Sequence, residues 1–207
     1  MQQSMPDGTG SVKTDDTPES MKIAVFCASA QPLEQVFIDA ARTLGQQIAE
    51  ERWQLVYGGT NIGLMREVAE ATINRGGYVT GIIPECILQR GVAARQLSHL
   101  IVAPDMKERK HLLRENADAF IALPGGWGTL EEITEVITLK QLGQHTKPII
   151  FINTAGFYDR FFDFISGLTQ QGFISSVYKG LYEIVGSPEE AVHYLKTYRG
   201  SAVVSKY

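Results

Sequence analysis

The chain has 207 residues, 44% of them hydrophobic and 20% charged, and a formal net charge of −4. That length buries a sizeable core without disulfides or a structural metal, and the composition excludes collagen, coiled coil and wholesale disorder. The acidic balance argues against a binder of nucleic-acid backbone, while leaving room for a local basic pocket that takes one small anion.

Residues 1–20 are polar, rich in Gly, Pro, Ser, Thr and Asp, and read as a disordered arm without the basic start and apolar block of a secretory signal. KIAVFCA (22–28) is a continuous apolar run, as in a strand buried on both faces. A helix follows, with Phe37, Ala40, Ala41, Leu44 and Ile48 at helical spacing. WQLVYG (53–58) is a second strand, and residues 61–75 form a helix with Leu64, Val68 and Thr72 on one face. YVTGII (78–83) and HLIVA (99–103) are the third and fourth strands, and a short helix covers about 105–116. AFIAL (119–123) is the fifth strand, followed by a glycine loop and a helix to about 142. PIIFIN (148–153) is the sixth strand, and residues 157–170 place Phe157, Phe161, Phe164 and Leu168 on one helical stripe. LYEIV (181–185) is the last strand, before a helix opened by Ser187, Pro188 and Glu190 as cap, first turn and capping glutamate. Residues 199–207 read as a tail.

Strands alternating with helices imply parallel strands joined by right-handed crossovers. The expected fold is α/β: one doubly wound, mostly parallel, Rossmann-like sheet over 21–198 with helices on both faces. Ligands of such sheets bind beyond the carboxyl ends of the strands, where strand order reverses. No run of about 18 apolar residues is present, so no membrane span is expected. Cys27 and Cys86 sit in apolar stretches that read as strand or strand end. They make neither a disulfide framework nor a zinc set, and a reducing cytoplasm is the expected compartment.

Three segments carry candidate chemistry. The first, Pro124-Gly125-Gly126-Trp127-Gly128-Thr129-Leu130-Glu131-Glu132, follows a strand and opens a helix. Its glycines let a ligand approach the backbone, and the free N–H groups and dipole of the helix start suit a phosphate. The spacing is neither the dinucleotide G-x-G-x-x-G nor a P-loop. Thr129 and Glu132 also have the form of a capping box, which by itself signals no function. The second segment, Gly58-Gly59-Thr60-Asn61-Ile62-Gly63, is a second strand-to-helix glycine turn. The third puts Lys107, Arg109 and Lys110 in the first turn of a helix, where the dipole disfavours cations. Such a local conflict points to an anionic ligand, with a solvated turn offset by Asp105 and Glu108 as the plainer reading.

Pro124-Gly125-Gly126-x-Gly128-Thr129-x-x-Glu132, with Met106-x-x-Arg109-Lys110 upstream, resembles the LOG ("lonely guy") family over about residues 22–195. These are cytokinin riboside 5′-monophosphate phosphoribohydrolases, often mislabelled as lysine decarboxylases. The resemblance implies hydrolysis of the N-glycosidic bond of a purine nucleoside 5′-monophosphate to free base and ribose 5-phosphate. It implies Arg109 and Glu132 as catalytic residues. It implies Lys110, Gly125, Gly126, Trp127, Gly128, Thr129, Leu130, Glu131 and Thr138 as substrate-binding, with Ser29, Gly58, Gly59, Glu85 and Met106 completing the set. Glu132, Glu135 and Thr138 share one helical face through i,i+3 steps.

No metal or other cofactor is required, and His99, His111, His145 and His193 lack ligand spacing. A dimer or larger homo-oligomer is implied, with the helices at 61–75 and 130–142 as candidate surfaces. Family members carry His at position 107, and Gly at positions 60 and 66, where this chain has Lys107, Thr60 and Arg66. They also show a Ser-Ser-x-Gly-like turn in place of Cys27-Ala28-Ser29-Ala30. Arg66 is a candidate extra phosphate contact. The rival reading is a non-catalytic binding protein for a phosphorylated ligand, since molybdenum-cofactor carriers resemble this fold and glycine loop. A decarboxylase would need a Schiff-base lysine and a partner for the pyridinium nitrogen of PLP, and no motif places either.

Overall fold

The computed structural model describes residues 20–178 and 180–200; the arm read over 1–20 lies outside them except at Ser20, and the tail read over 199–207 except at Arg199 and Gly200. The strands are β1 (Lys22–Phe26), β2 (Gln54–Tyr57), β3 (Tyr78–Pro84), β4 (His99–Ala103), β5 (Ala119–Ala122), β6 (Ile149–Ile152) and β7 (Glu183–Val185). The helices are α1 (Gln35–Glu50), α2 (Gly63–Asn74), α3 (Glu85–Leu88), α4 (Met106–Glu115), α5 (Trp127–Gln141), α6 (Asp159–Gln170) and α7 (Pro188–Thr197).

Among the described residues the strands form one seven-stranded sheet in the order β4-β3-β2-β1-β5-β6-β7. Every adjacent pair runs parallel. Alternation along β1 explains why its apolar run is unbroken. Ile23 and Val25 meet Ala41, Leu44 and Ile48 of α1 and Leu64 and Val68 of α2 on one face. Ala24 and Phe26 meet Ile133 and Val136 of α5 and Leu113 of α4 on the other. A strand covered on both sides has no polar face to display. Leu64 and Val68 of α2 and Ile133 and Val136 of α5 are therefore core, while Ile73, Leu130, Ile137 and Leu139 of the same helices stay half-buried.

Strand order reverses between β1 and β5, so the glycine loop after β5 opens at the switch point. Its neighbours are tied to it. The Ala28 N–H donates to the Pro124 carbonyl at 3.1 Å, and the Ala28 carbonyl accepts from the Met65 N–H at 3.3 Å. The exit of β1 thus links both glycine turns. Tyr158, buried under Phe151 and Phe162, donates its hydroxyl to the Leu123 carbonyl at 2.7 Å and anchors the end of β5.

Two local readings need correction. Cys86 is exposed on the short helix α3, not on a strand end, because the chain turns at Pro84. The crossover from β3 to β4 continues as a strap bound to the second glycine turn: the Asn61 N–H donates to Val92 at 2.8 Å and the Ala94 N–H to Gly59 at 2.9 Å. The aromatic stripe expected at 157–170 is also broken. A 3-10 turn at Thr154–Gly156, with Ala155 at φ 52°, delays the helix to Asp159. Phe161 and Phe162 reach the core, while Phe164 stays exposed. The last helix opens as expected, with the Ser187 hydroxyl accepting from the Glu190 N–H at 3.3 Å. No helix among the described residues is long and apolar enough to cross a membrane.

The link between the β1 exit and α2 depends on Gly63, which sits at φ +60° with an added Cβ falling 2.6 Å from the Ala30 carbonyl and 2.7 Å from that of Ala28. Gly63→Ala is expected to cost about 1–3 kcal/mol and lower Tm by several degrees in a thermal melt. An unchanged Tm would mean that this junction does not hold the loops together.

Candidate active site

Helix α4 starts where β4 ends, capped by Asp105, whose carboxylate accepts from the Glu108 N–H at 2.8 Å. This cap offsets part of the charge conflict in the first turn. Lys107 faces solvent, but Arg109 turns inward and is 6% exposed. Its Nε donates to the Ile82 carbonyl on β3 at 3.3 Å, and its Nη1 donates to Oε1 of Glu132. The Nη2 end lies against Gly58, where a Cβ would occupy its place. Gly58 is thus required for the close approach of a guanidinium, beside the sulfur of Met65. Thr60 donates to that sulfur at 3.0 Å, so the threonine fills a buried corner of the turn.

Glu132 is 5% exposed, on the second turn of α5. Burial pushes its pKa above the ordinary carboxylate value, with the Arg109 charge pulling the other way. The Cys27 thiol is fully buried and pushed up by burial first and by the Glu132 charge second. It therefore stays protonated and non-nucleophilic.

The capping-box reading of Thr129 and Glu132 is overturned. Helix α5 begins one turn earlier, with Gly126 as its cap residue and no side-chain cap. Glu132 lies too far into the helix to satisfy its first N–H groups and binds Arg109 instead. The first-turn amides are left for another acceptor. Gly126 and Gly128 have open space where a Cβ would stand, in contrast to Gly125, whose Cβ would collide with Thr129. Packing requires the first glycine of the loop, and only access requires the other two. Trp127, between them, is 89% exposed.

The remaining expected residues fall into two groups. Lys110 pairs with Glu131 and lies 3.5 Å from Glu135, which hold its pKa above the usual lysine value. Thr129 and Leu130 stand in the first turn of α5, Thr129 buried and Leu130 half-buried. Ser29, Gly59 and Met106 lie at the carboxyl ends of β1 and β2 and the start of α4, on the same rim. Glu85 is exposed at the end of β3 on α3. Thr138 lies further along α5, exposed, with its hydroxyl donating to the Thr134 carbonyl at 2.8 Å. The face shared by Glu132, Glu135 and Thr138 runs from interior to solvent. Arg66 does not aim at the loop; its guanidinium is held by Glu67 at 2.6 Å. Arg114, at 3.0 Å from Glu135, was not singled out by sequence reasoning.

An apolar cavity of about 230 Å³, lined by Leu33, Phe37, Leu64, Phe157 and the Pro124–Gly126 backbone, borders the glycine loop on the α1 side. A larger one, about 570 Å³, lies between α2 and the strap and shares no lining residue with the Arg109–Glu132 pair.

Comparison with known proteins agrees with the motifs. A family profile described as "Possible lysine decarboxylase" matches residues 65–195. The cytokinin riboside 5′-monophosphate phosphoribohydrolase LOG2 of Arabidopsis thaliana is 42% identical over 167 residues, covering 81% of this chain and 78% of that protein. LOG1 of the same plant is 39% identical over 187 residues, covering 89% and 88%. Among solved structures, the molybdenum cofactor binding protein of Rippkaea orientalis superposes with a TM-score of 0.68 at 23% identity, over 87% of this chain and 98% of that one. The Moco carrier protein of Chlamydomonas gives 0.65 at 21%, over 86% and 97%. These structural likenesses show the shared α/β fold. By its sequence the chain belongs to the LOG family of phosphoribohydrolases.

Proposed function

We propose that this protein hydrolyses the N-glycosidic bond of a purine nucleoside 5′-monophosphate, cytokinin-type or AMP-like, to the free base and ribose 5-phosphate. The observation that carries this reading is the buried pair of Arg109 on α4 and Glu132 on α5, the helix whose glycine-opened start has no side-chain cap. The 5′-phosphate sits on the first-turn amides of α5, where N–H groups and dipole favour an anion. Lys110, Met106, Ser29 and the Gly58-Gly59 turn line the same rim. The ribose then lies beside Glu132.

Cleavage of the C1′–N bond develops oxocarbenium character, which the adjacent carboxylate stabilises. Water attacks C1′ and gives one proton to Glu132 while the sugar keeps the new hydroxyl; the departing purine takes a proton from solvent at a ring nitrogen, and Glu132 returns its proton to solvent. Arg109 orients Glu132 through its Nη1 bond and its charge favours the carboxylate form, while its Nε bonds the sheet, a division of contacts that a lysine does not reproduce. The assembly is read as a cytoplasmic homodimer or larger homo-oligomer.

The decarboxylase reading fails on chemistry. A Schiff-base lysine needs a depressed pKa, and the lysine at this rim, Lys110, is pushed up by Glu131 and Glu135. The carrier reading rests on likeness of fold and glycine loop and leaves the buried Arg109–Glu132 pair without a role.

Chromatography of AMP, GMP, CMP and isopentenyladenosine monophosphate after incubation with the protein tests the activity. Purine release is expected, with Glu132→Gln slower by about 100-fold or more. No release from any nucleotide by folded wild type would overturn the reading in favour of a binding protein.

The pH profile follows from the same pair. The carboxylate form is the active one, so rate falls as pH falls through the Glu132 pKa. Because burial raises that pKa in the free protein, the acid limb of kcat/KM is expected above the ordinary glutamate value of about 4.3. A limb at or below that value would contradict the role given to burial.

Gly128→Ala separates access from folding. Alanine in an open helical position is expected to stabilise by roughly 0.5–1 kcal/mol while weakening nucleotide binding, read from the fluorescence of the adjacent Trp127. Unchanged binding would remove the phosphate from this helix start.

A further inference from the structure

Among the described residues, the Arg109–Glu132 pair is the innermost of four ion pairs that bridge α4 and α5. Every cation stands on α4 (Arg109, Lys110, Arg114) and every carboxylate on α5 (Glu131, Glu132, Glu135). Glu135 lies one turn beyond Glu132 and takes two of those cations, Arg114 at 3.0 Å and Lys110 at 3.5 Å. Arg114 is itself fixed, since its carbonyl accepts from the Lys147 ammonium at 3.0 Å. Arg109, by contrast, has one bond to the sheet, at 3.3 Å to Ile82.

Arg109–Glu132 and Lys110–Glu131 hold α4 to α5 near the start of α4, and Arg114–Glu135 adds a hold a turn further along that limits roll of one helix on the other. We propose that Glu135 and Arg114 are positioning residues: they fix how α4 sits on α5 and so where the Arg109 guanidinium meets Glu132. Half-exposed bridges of this kind contribute little to stability. Their leverage is geometric, since misplacing a catalytic group by about 1 Å can cost about 100-fold in rate. The kinetic consequence rests on the phosphoribohydrolase reading, while the geometric one does not.

Glu132 is faced by Arg109 and Lys110 from α4, by Glu131 on its own helix and by the Cys27 thiol beyond β1. Its carboxyl pKa therefore reports on the placement of Arg109. The experiment is a ¹³C-glutamate titration of wild type, Glu135→Gln and Arg114→Met, with Glu132→Gln assigning the signal, alongside kcat and KM for base release. In Glu135→Gln two effects oppose each other. Loss of a nearby negative charge alone lowers the Glu132 pKa, whereas withdrawal of Arg109 raises it.

A rise in both variants is expected, with kcat down about tenfold, KM within about threefold and most of the rate restored by Arg114→Lys. A Glu132 pKa that falls or stays put in Glu135→Gln would overturn the proposal. If wild type released no base, the titration alone would decide it, and only the catalytic reading would fail.

Discussion

Two charges taken out of water lose far more hydration than a surface pair does, and they persist only where each is held on several sides. Arg109 and Glu132 are 6% and 5% exposed, and the surrounding structure is arranged around that constraint. The sheet supplies the Ile82 carbonyl, and the β2 turn supplies a glycine where any side chain would displace the guanidinium. A buried ion pair is weak evidence of stabilisation, because apolar residues of the same shape often do as well or better. Its place at the mouth of a doubly wound sheet makes chemistry the better explanation.

The same constraint gives the glycine loop its division of labour. Gly125 lets the loop close over Thr129, whereas Gly126 and Gly128 leave the start of α5 open. A helix start without a side-chain cap is a cost that a bound anion offsets. The exit of β1 couples the two glycine turns through Ala28, so the start of α5 and the Arg109 pocket are parts of one hydrogen-bonded rim.

Much of the fold was legible in the sequence, because strands covered on both faces are unbroken apolar runs and KIAVFCA or PIIFIN has no other comfortable place. Strand order was not, since the β1–β5 pairing joins residues about a hundred positions apart. The capping-box pattern misled because Gly126 starts the helix before Thr129 can cap it. The aromatic stripe misled because Ala155 turns the chain with a positive φ that no periodicity announces. At the site, the charge conflict in α4 drew attention to Arg109, which the structure buries, but its partner, 23 residues away, came only from family likeness. Gly58 was visible as a turn glycine, while its role as a seat for Arg109 depends on packing between three elements.

The partnership of Arg109 and Glu132 is measured most directly by a double-mutant cycle on kcat/KM for base release, using Arg109→Met, Glu132→Gln and the double variant. Two residues that act as one unit give a double variant about as slow as the slower single variant. Losses that simply add would mean that arginine and glutamate act independently, and that their buried contact is not the centre of the site.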